Sequence, residues 1–173
     1  RDDLAPSKAL SIIANGPDNF GGRKLGILVS EGVDASSVKK FRTLFAKEGA
    51  TVEIIAPTIG GVTASDGTRI PADHMIDGGP SVLFDAVAIL LGEGGGERLS
   101  KESAARDFVA DAYSHCKFIA YSPEAAALFS KAGVALDEDD EGLIPVRKQT
   151  DAMLFLEQCR KLRLWAREYK VKL

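Results

Sequence analysis

Residues 116–129 read CKFIAYSPEAAALF. The apolar run Phe118, Ile119, Ala120, Tyr121 reads as a short buried strand, and the alanine-rich stretch beyond Pro123 has helical spacing. Proline suits the first position of a helix, because its missing N–H would be unsatisfied there anyway. Ser122 is therefore placed at an N-cap, on the bend between a strand and a helix. A strand that runs directly into a helix is the building unit of an α/β sheet. The same bend is where several α/β enzymes present a nucleophile, so Ser122 is either a nucleophile or a cap.

The rest of the chain repeats this rhythm. KLGILV (24–29) is short and mostly apolar, as expected of a strand buried on both faces. Asp34 starts a helix that puts Val38, Phe41, Leu44 and Phe45 on one side, and Gly49 closes it as a left-handed C-cap. TVEIIAP (51–57) and DAVAILL (85–91) are the next two strands, and a helix is expected over about 101–113. GLIPV (142–146) reads as a last strand, and residues 150–167, with Met153, Leu154, Leu156, Leu162 and Trp165, as an amphipathic closing helix. Between 61 and 76 the pattern changes. Asp66-Gly67 favours a tight turn that pairs GVTA with TRI as a hairpin. Five strands alternating with helices predict a flavodoxin-like, doubly wound parallel sheet with helices on both faces and a small hairpin insertion. Residues 1–22, with two prolines, a Gly-Pro, a Gly-Gly and one apolar patch (Leu10–Ala14), read as an extended linker arm. The domain proper is expected over 23–173.

Composition narrows the partners. A chain of 173 residues fits one domain. With 22 Lys and Arg against 25 Asp and Glu, the formal charge of −3 gives no support to a nucleic-acid or anionic-membrane surface. The run DEDDE (137–141) reads as a solvated loop. Cys116 and Cys159 are too few and too far apart for a disulfide framework or a zinc motif and read as reduced packing residues. No apolar stretch approaches membrane-spanning length, and RDDLAPSKALSI is not a signal peptide. A start at Arg reads as a piece cut from something longer.

The residue types that carry chemistry do not assemble into a site. The loop Gly92-Glu93-Gly94-Gly95-Gly96 follows a strand and precedes a helix, the context of a phosphate loop. It has no lysine in register for one phosphate motif and lacks the third glycine of the other, and Glu93 and Glu97 would repel phosphate. It reads instead as a tight loop aiming N–H groups across the sheet. A serine nucleophile needs a base within hydrogen-bond reach and a third group to orient it. His115 lies seven residues from Ser122, more than ~20 Å along a straight strand, and His74 sits beside the hairpin. On these grounds Ser122 reads as a cap. No metal-ligand cluster is evident. Tyr113, Tyr121 and Tyr169 read as packing residues, and Trp165 as a core or interface anchor.

The strand ending LLGEGGGERLSKESAARDFVADAY, the elbow KFIAYSPEAAALF and the ending GLIPVRKQTDAMLF resemble, in that order, the glutamine-amidotransferase-like superfamily of PfpI-type proteases and Parkinson-linked deglycases. In those proteins a reactive cysteine occupies the elbow, a position held here by Ser122. A glutamate near the end of the first strand assists it, and the corresponding loop is SEGVDASS (30–37). The histidine or Arg-Gly-Pro-Gly-Thr turn usual near the last strand is replaced by VRKQTDAM. The resemblance implies a fold without its chemistry: Ser122 is a vestigial elbow, and Gly92, Gly94, Gly95 and Gly96 form a degenerate loop. LAPSKALSIIANGPDNFGGRKLGILVSEGVD and GVTASDGTRIPADHMIDGGPSVLFDAV are similar to the linker and hairpin region of the C-terminal domain of large-subunit catalases, across essentially the whole chain. That resemblance implies a parent that decomposes hydrogen peroxide, with haem in the parent's core and none in this domain. Its partners would be the catalase core and the sister subunits of a homotetramer. Its role would be non-catalytic, supporting stability and assembly, with ATP-independent holdase activity toward unfolding clients. The competing readings are a free-standing hydrolase or deglycase using Ser122, and a small-molecule module using the glycine loop.

Overall fold

A computed structural model describes residues 4–137, 139–148 and 150–171. In chain order the elements are α1 (Ile12–Asn15), β1 (Lys24–Val29), α2 (Ala35–Lys47), β2 (Thr51–Ala56), β3 (Val62–Thr63), β4 (Arg69–Ile70), β5 (His74–Met75) and β6 (Ala86–Leu90). They continue with α3 (Gly95–Leu99), α4 (Ser103–Ser114), β7 (Ile119–Tyr121), α5 (Ala126–Lys131), β8 (Leu143–Pro145), α6 (Asp151–Cys159) and α7 (Glu168–Val171). Six strands form one parallel sheet in the order β5-β2-β1-β6-β7-β8, while β3 and β4 pair antiparallel beside it. The strand order reverses between β1 and β6, which is the topological switch point of a flavodoxin-like sheet.

The strands are apolar on both faces because both faces are covered. Leu25, Ile27 and Val29 of β1, and Ala86, Ala88 and Leu90 of β6, face the layer that holds Phe41 and Phe45 of α2 and Phe155 of α6. Leu28, Val87, Ile89 and Ile119 face the opposite layer with Phe84, Phe108 and Phe129. Ring centroids 5.7–6.3 Å apart join Phe41, Phe45 and Phe155 into one aromatic cluster. On β1 the second layer comes so close that a Cβ on Gly26 would lie 2.5 Å from the Phe84 ring. The Asp34 carboxylate caps α2 by accepting from the Ser36 and Ser37 N–H groups, each at 3.1 Å. Gly49, at φ 84°, terminates that helix, as its position in the sequence predicts.

The architecture departs from expectation in four places. The sheet has a sixth strand, β5, at its edge. Asp73 brings it in, donating its N–H to Ile54 O (2.8 Å) and accepting the Ile54 N–H on its carboxylate (2.7 Å). The glycine loop does not stay a loop, because α3 starts inside it at Gly95. The closing helix stops at Cys159 instead of continuing to 167, since Leu162 turns into the left-handed region (φ 70°) and Leu164 donates to Cys116 O at 2.8 Å. Beyond that turn Arg167, buried to 1%, is locked by Asp140, with Nε–Oδ2 2.8 Å and Nη2–Oδ1 2.7 Å. Trp165 is 44% exposed and so does not anchor the core. Finally, the arm is not fully extended: it holds a 3-10 turn (Lys8–Leu10) and α1, and it meets the packed body at fully buried Phe20. Residues 1–3 of the expected linker, Glu138 of the acidic run, Gln149 of VRKQTDAM and the last two residues of the domain lie outside the described residues.

Candidate functional site

An open cleft of about 380 Å³ lies at the carboxyl ends of the strands, over the switch point. Its lining includes Asp34, Ser65, Gly92, Glu93, Ser122 and Arg147. This is where ligands bind in open α/β sheets, and the structure does bring Ser122 and the glycine loop together there.

The hydroxyl of Ser122 does not cap a helix. The residue holds the expected N-cap position before Pro123, but its side chain makes no cap hydrogen bond. Ser122 N–H donates to Ile89 O (2.9 Å). Its Oγ then accepts from the Leu91 N–H (3.0 Å) and donates to Leu91 O (3.3 Å). The hydroxyl thus continues the β6–β7 ladder one step beyond the last backbone pair. The first strand does the same from the other side: Ser30, buried to 3%, accepts the Gly92 N–H on its Oγ at 3.0 Å. Two serines therefore occupy consecutive N–H groups at the end of β6.

The glycines let the backbone pack closely at the end of β6. A Cβ on Gly92 would lie 2.3 Å from Glu31 O, one on Gly95 2.2 Å from Ser30 Oγ, and one on Gly96 2.1 Å from Glu124 O. Gly94 takes the left-handed conformation (φ 65°) from which α3 begins. Gly92, Gly95 and Gly96 let the β6 end touch the chain that follows β1 and β7, so the run packs strand ends together beneath the cleft. Gly95 N–H is itself taken by Gly92 O (2.9 Å).

The other candidates stand apart. Glu31, in the loop expected to hold an assisting glutamate, accepts the Thr63 N–H from the hairpin (2.8 Å). His74 bonds Glu53 through Nε2 (2.8 Å) at the sheet edge, and His115 is exposed at the end of α4. The turn after β8 is held by Asp151, whose Oδ2 accepts from the Arg147 and Lys148 N–H groups, both at 2.8 Å. Cys116 and Cys159 are both free and buried, and burial pushes both thiols up. Among the described residues no group of His, Cys, Asp and Glu is arranged to hold a metal ion. The cleft lining offers no His, Tyr or Cys. Tyr113 lies under the Arg167 guanidinium (4.5 Å), Tyr121 packs on Phe129 (5.2 Å) and Tyr169 is 67% exposed. These residues do not fit a haem.

The sequence reading missed Ser30 and the Asp140–Arg167 pair. A serine directly after an apolar strand and opposite a glycine run was the available signal for the first. Nothing local marks the second, whose partners are 27 residues apart.

Comparison with known proteins agrees with the geometry. The chain resembles the crystal structure of Drosophila melanogaster DJ-1beta with a TM-score of 0.68 at 19% identity, covering 86% of this chain and 95% of that one. It also resembles a two-domain Anabaena variabilis protein with DJ-1/ThiJ/PfpI-like and ferritin-like domains, with a TM-score of 0.67 at 18% identity, covering 79% and 48%. These likenesses establish the fold. In sequence it is 50% identical over its whole length to Catalase C of Rhizobium meliloti, of which it covers 24%. It is 33% identical to Catalase HPII of Pseudomonas putida, over 95% of this chain and 22% of that protein. The chain thus spans about a quarter of the length of these curated relatives. The family of the C-terminal domain found in long catalases matches residues 21–168, and the chain belongs to that family.

Proposed function

We propose that this domain is a non-catalytic module of a long haem catalase whose core decomposes hydrogen peroxide, and that it supports the stability and homotetrameric assembly of that parent. One observation carries the reading. At the switch point, Ser122 Oγ is committed to Leu91 and Ser30 Oγ to Gly92, with no histidine in the cleft lining. Nucleophilic catalysis needs a free hydroxyl and a base within reach; here the hydroxyl is already hydrogen-bonded and no histidine lines the cleft. The arm supplies a surface suited to packing against the parent's core: Leu10, Ile12 and Ile13 are 84%, 71% and 74% exposed. Exposed apolar side chains on an acidic body also suit an ATP-independent holdase.

The test compares the parent with a version truncated before residue 1 of this chain. Removal of the domain lowers the melting temperature and shifts the tetramer toward smaller species in analytical ultracentrifugation, while peroxide turnover per remaining haem stays the same. Unchanged stability and assembly would refute the structural role. Light scattering of a heat-labile enzyme, with and without an equimolar amount of this chain, tests the holdase role. Suppression independent of ATP is expected, and scattering equal to that with an inert protein of similar size and charge would refute it.

A further inference from the structure

A concavity larger than the cleft lies away from the strand ends. A groove of about 580 Å³ runs between α2 and the β3–β4 hairpin. Its floor is apolar, with Val38 and Ile70 exposed by only 2% and 6%. Lys39 and Arg42, one turn apart on α2, face Arg69 on β4 across it. Neither Lys39 nor Arg42 has a carboxylate partner among the described residues, and Arg69 donates only to a backbone carbonyl, Gly60 O (2.5 Å). The one carboxylate in the lining, Asp66, is occupied by the Thr68 N–H (2.9 Å). On a chain of net charge −3, this groove carries three cations against one anion.

Both walls are fixed in advance. Asp34 caps α2, and the hairpin is tied to the 31–33 loop by Gly32 N–H to Thr63 O (2.8 Å) and Ser65 N–H to Val33 O (3.0 Å). A preformed groove spares a ligand the ordering cost of shaping it. An apolar floor flanked by unpaired cations selects a segment with apolar side chains to fill the floor and carboxylates to meet the rim. Nucleic acid fits poorly, because the lining has no aromatic ring on which a base could stack.

We propose that this groove docks an acidic-apolar segment of a partner protein. The probe is a fluorescein-labelled peptide with leucine at every third position between aspartate and glutamate, read by fluorescence anisotropy against the whole chain. Controls replace its acids with lysine or its leucines with serine. The acidic-apolar peptide is expected to bind saturably and to weaken as salt rises from about 50 to about 500 mM, since screening shortens the reach of surface charges. Both control peptides should bind at least tenfold more weakly. K39E combined with R42E, both at exposed positions, should weaken binding at least tenfold with unchanged circular dichroism. Thr43→Trp, which fills the groove without altering charge, should do the same. No saturable binding, equal binding of the lysine peptide, or unchanged affinity in either variant overturns the proposal.

Discussion

Replacing Lys117 with methionine should stabilise the domain at neutral pH and remove a rise in stability that the wild type shows under alkaline conditions. Lys117 lies two residues before β7 and is 3% exposed, and its Nζ donates to one acceptor, Ser81 O, at 2.5 Å. Burial pushes its pKa down from 10.5 to about 8; nearby Arg163 adds to the shift, while Asp85 and Asp111 oppose it. Below the folded value both states are protonated, and the folded state bears the full penalty of the buried charge. Between the two values only the unfolded chain keeps the proton, so stability rises with pH there. The depression corresponds to about 3 kcal/mol in all, of which roughly 2 kcal/mol should be regained between about pH 7 and pH 9.5. Methionine keeps the apolar stem, and Ser81 O retains the Phe84 N–H (3.1 Å). Urea unfolding of both proteins across that range, followed by circular dichroism, gives the difference directly, and other titrating groups largely cancel. Stability curves that stay parallel within about 0.5 kcal/mol would refute the placement of a charged lysine in that site.

Ser122→Ala should destabilise by about 1–3 kcal/mol, because it strands the Leu91 N–H rather than uncapping a helix; chemical denaturation measures it. Ser122→Cys should react with iodoacetamide no faster than free cysteine at neutral pH, and markedly faster labelling would mean that an activating neighbour is present. Gly92→Ala should cost at least about 1–3 kcal/mol, because its Cβ would overlap Glu31 O, whereas Gly78→Ala, with open space around it, should be near neutral in the same melts. Arg167→Met should cost about 3–5 kcal/mol by leaving Asp140 buried without its partner, and adding Asp140→Leu should recover most of that loss in a double-mutant cycle.

What the sequence made legible was whatever repeats locally. Apolar runs between helices with one apolar side mark β1, β2, β6, β7 and β8, and Asp34, Asp66-Gly67 and Gly49 mark a cap, a turn and a stop by chemistry each residue carries itself. β5 was hidden because it is only two residues long and joins the sheet through the Asp73 contacts with Ile54, made 19 residues away. The end of α6 was hidden for a different reason. Leu162 adopts a left-handed backbone that usually announces itself through glycine, and what holds it there is distant: Cys116 O and the Asp140–Arg167 pair. At the candidate site Ser122 and the glycine run were legible, while Ser30 and the partners of both serines were not. Ser122 sits where the Ser-Pro signal put it, but where its hydroxyl points depends on an N–H 31 residues away.

That last point bears on what kind of function this fold can carry. A doubly wound sheet gathers unpaired N–H groups and loop side chains at its strand ends, and an active site forms when they are left open toward a ligand. Here Ser30 and Ser122 bond inward to adjacent residues of one loop, and the glycines beside them draw the neighbouring strand ends into contact. Freeing Ser122 Oγ for attack would expose the Leu91 N–H at about 1–3 kcal/mol. The same bonds pin β1, β6 and β7 together at the point where the sheet would otherwise be open. Chemistry at the strand ends and rigidity there draw on the same few polar groups, and in this domain those groups are committed to rigidity. The surfaces proposed above for recognition, the apolar arm and the cationic groove beside α2, lie away from the crevice.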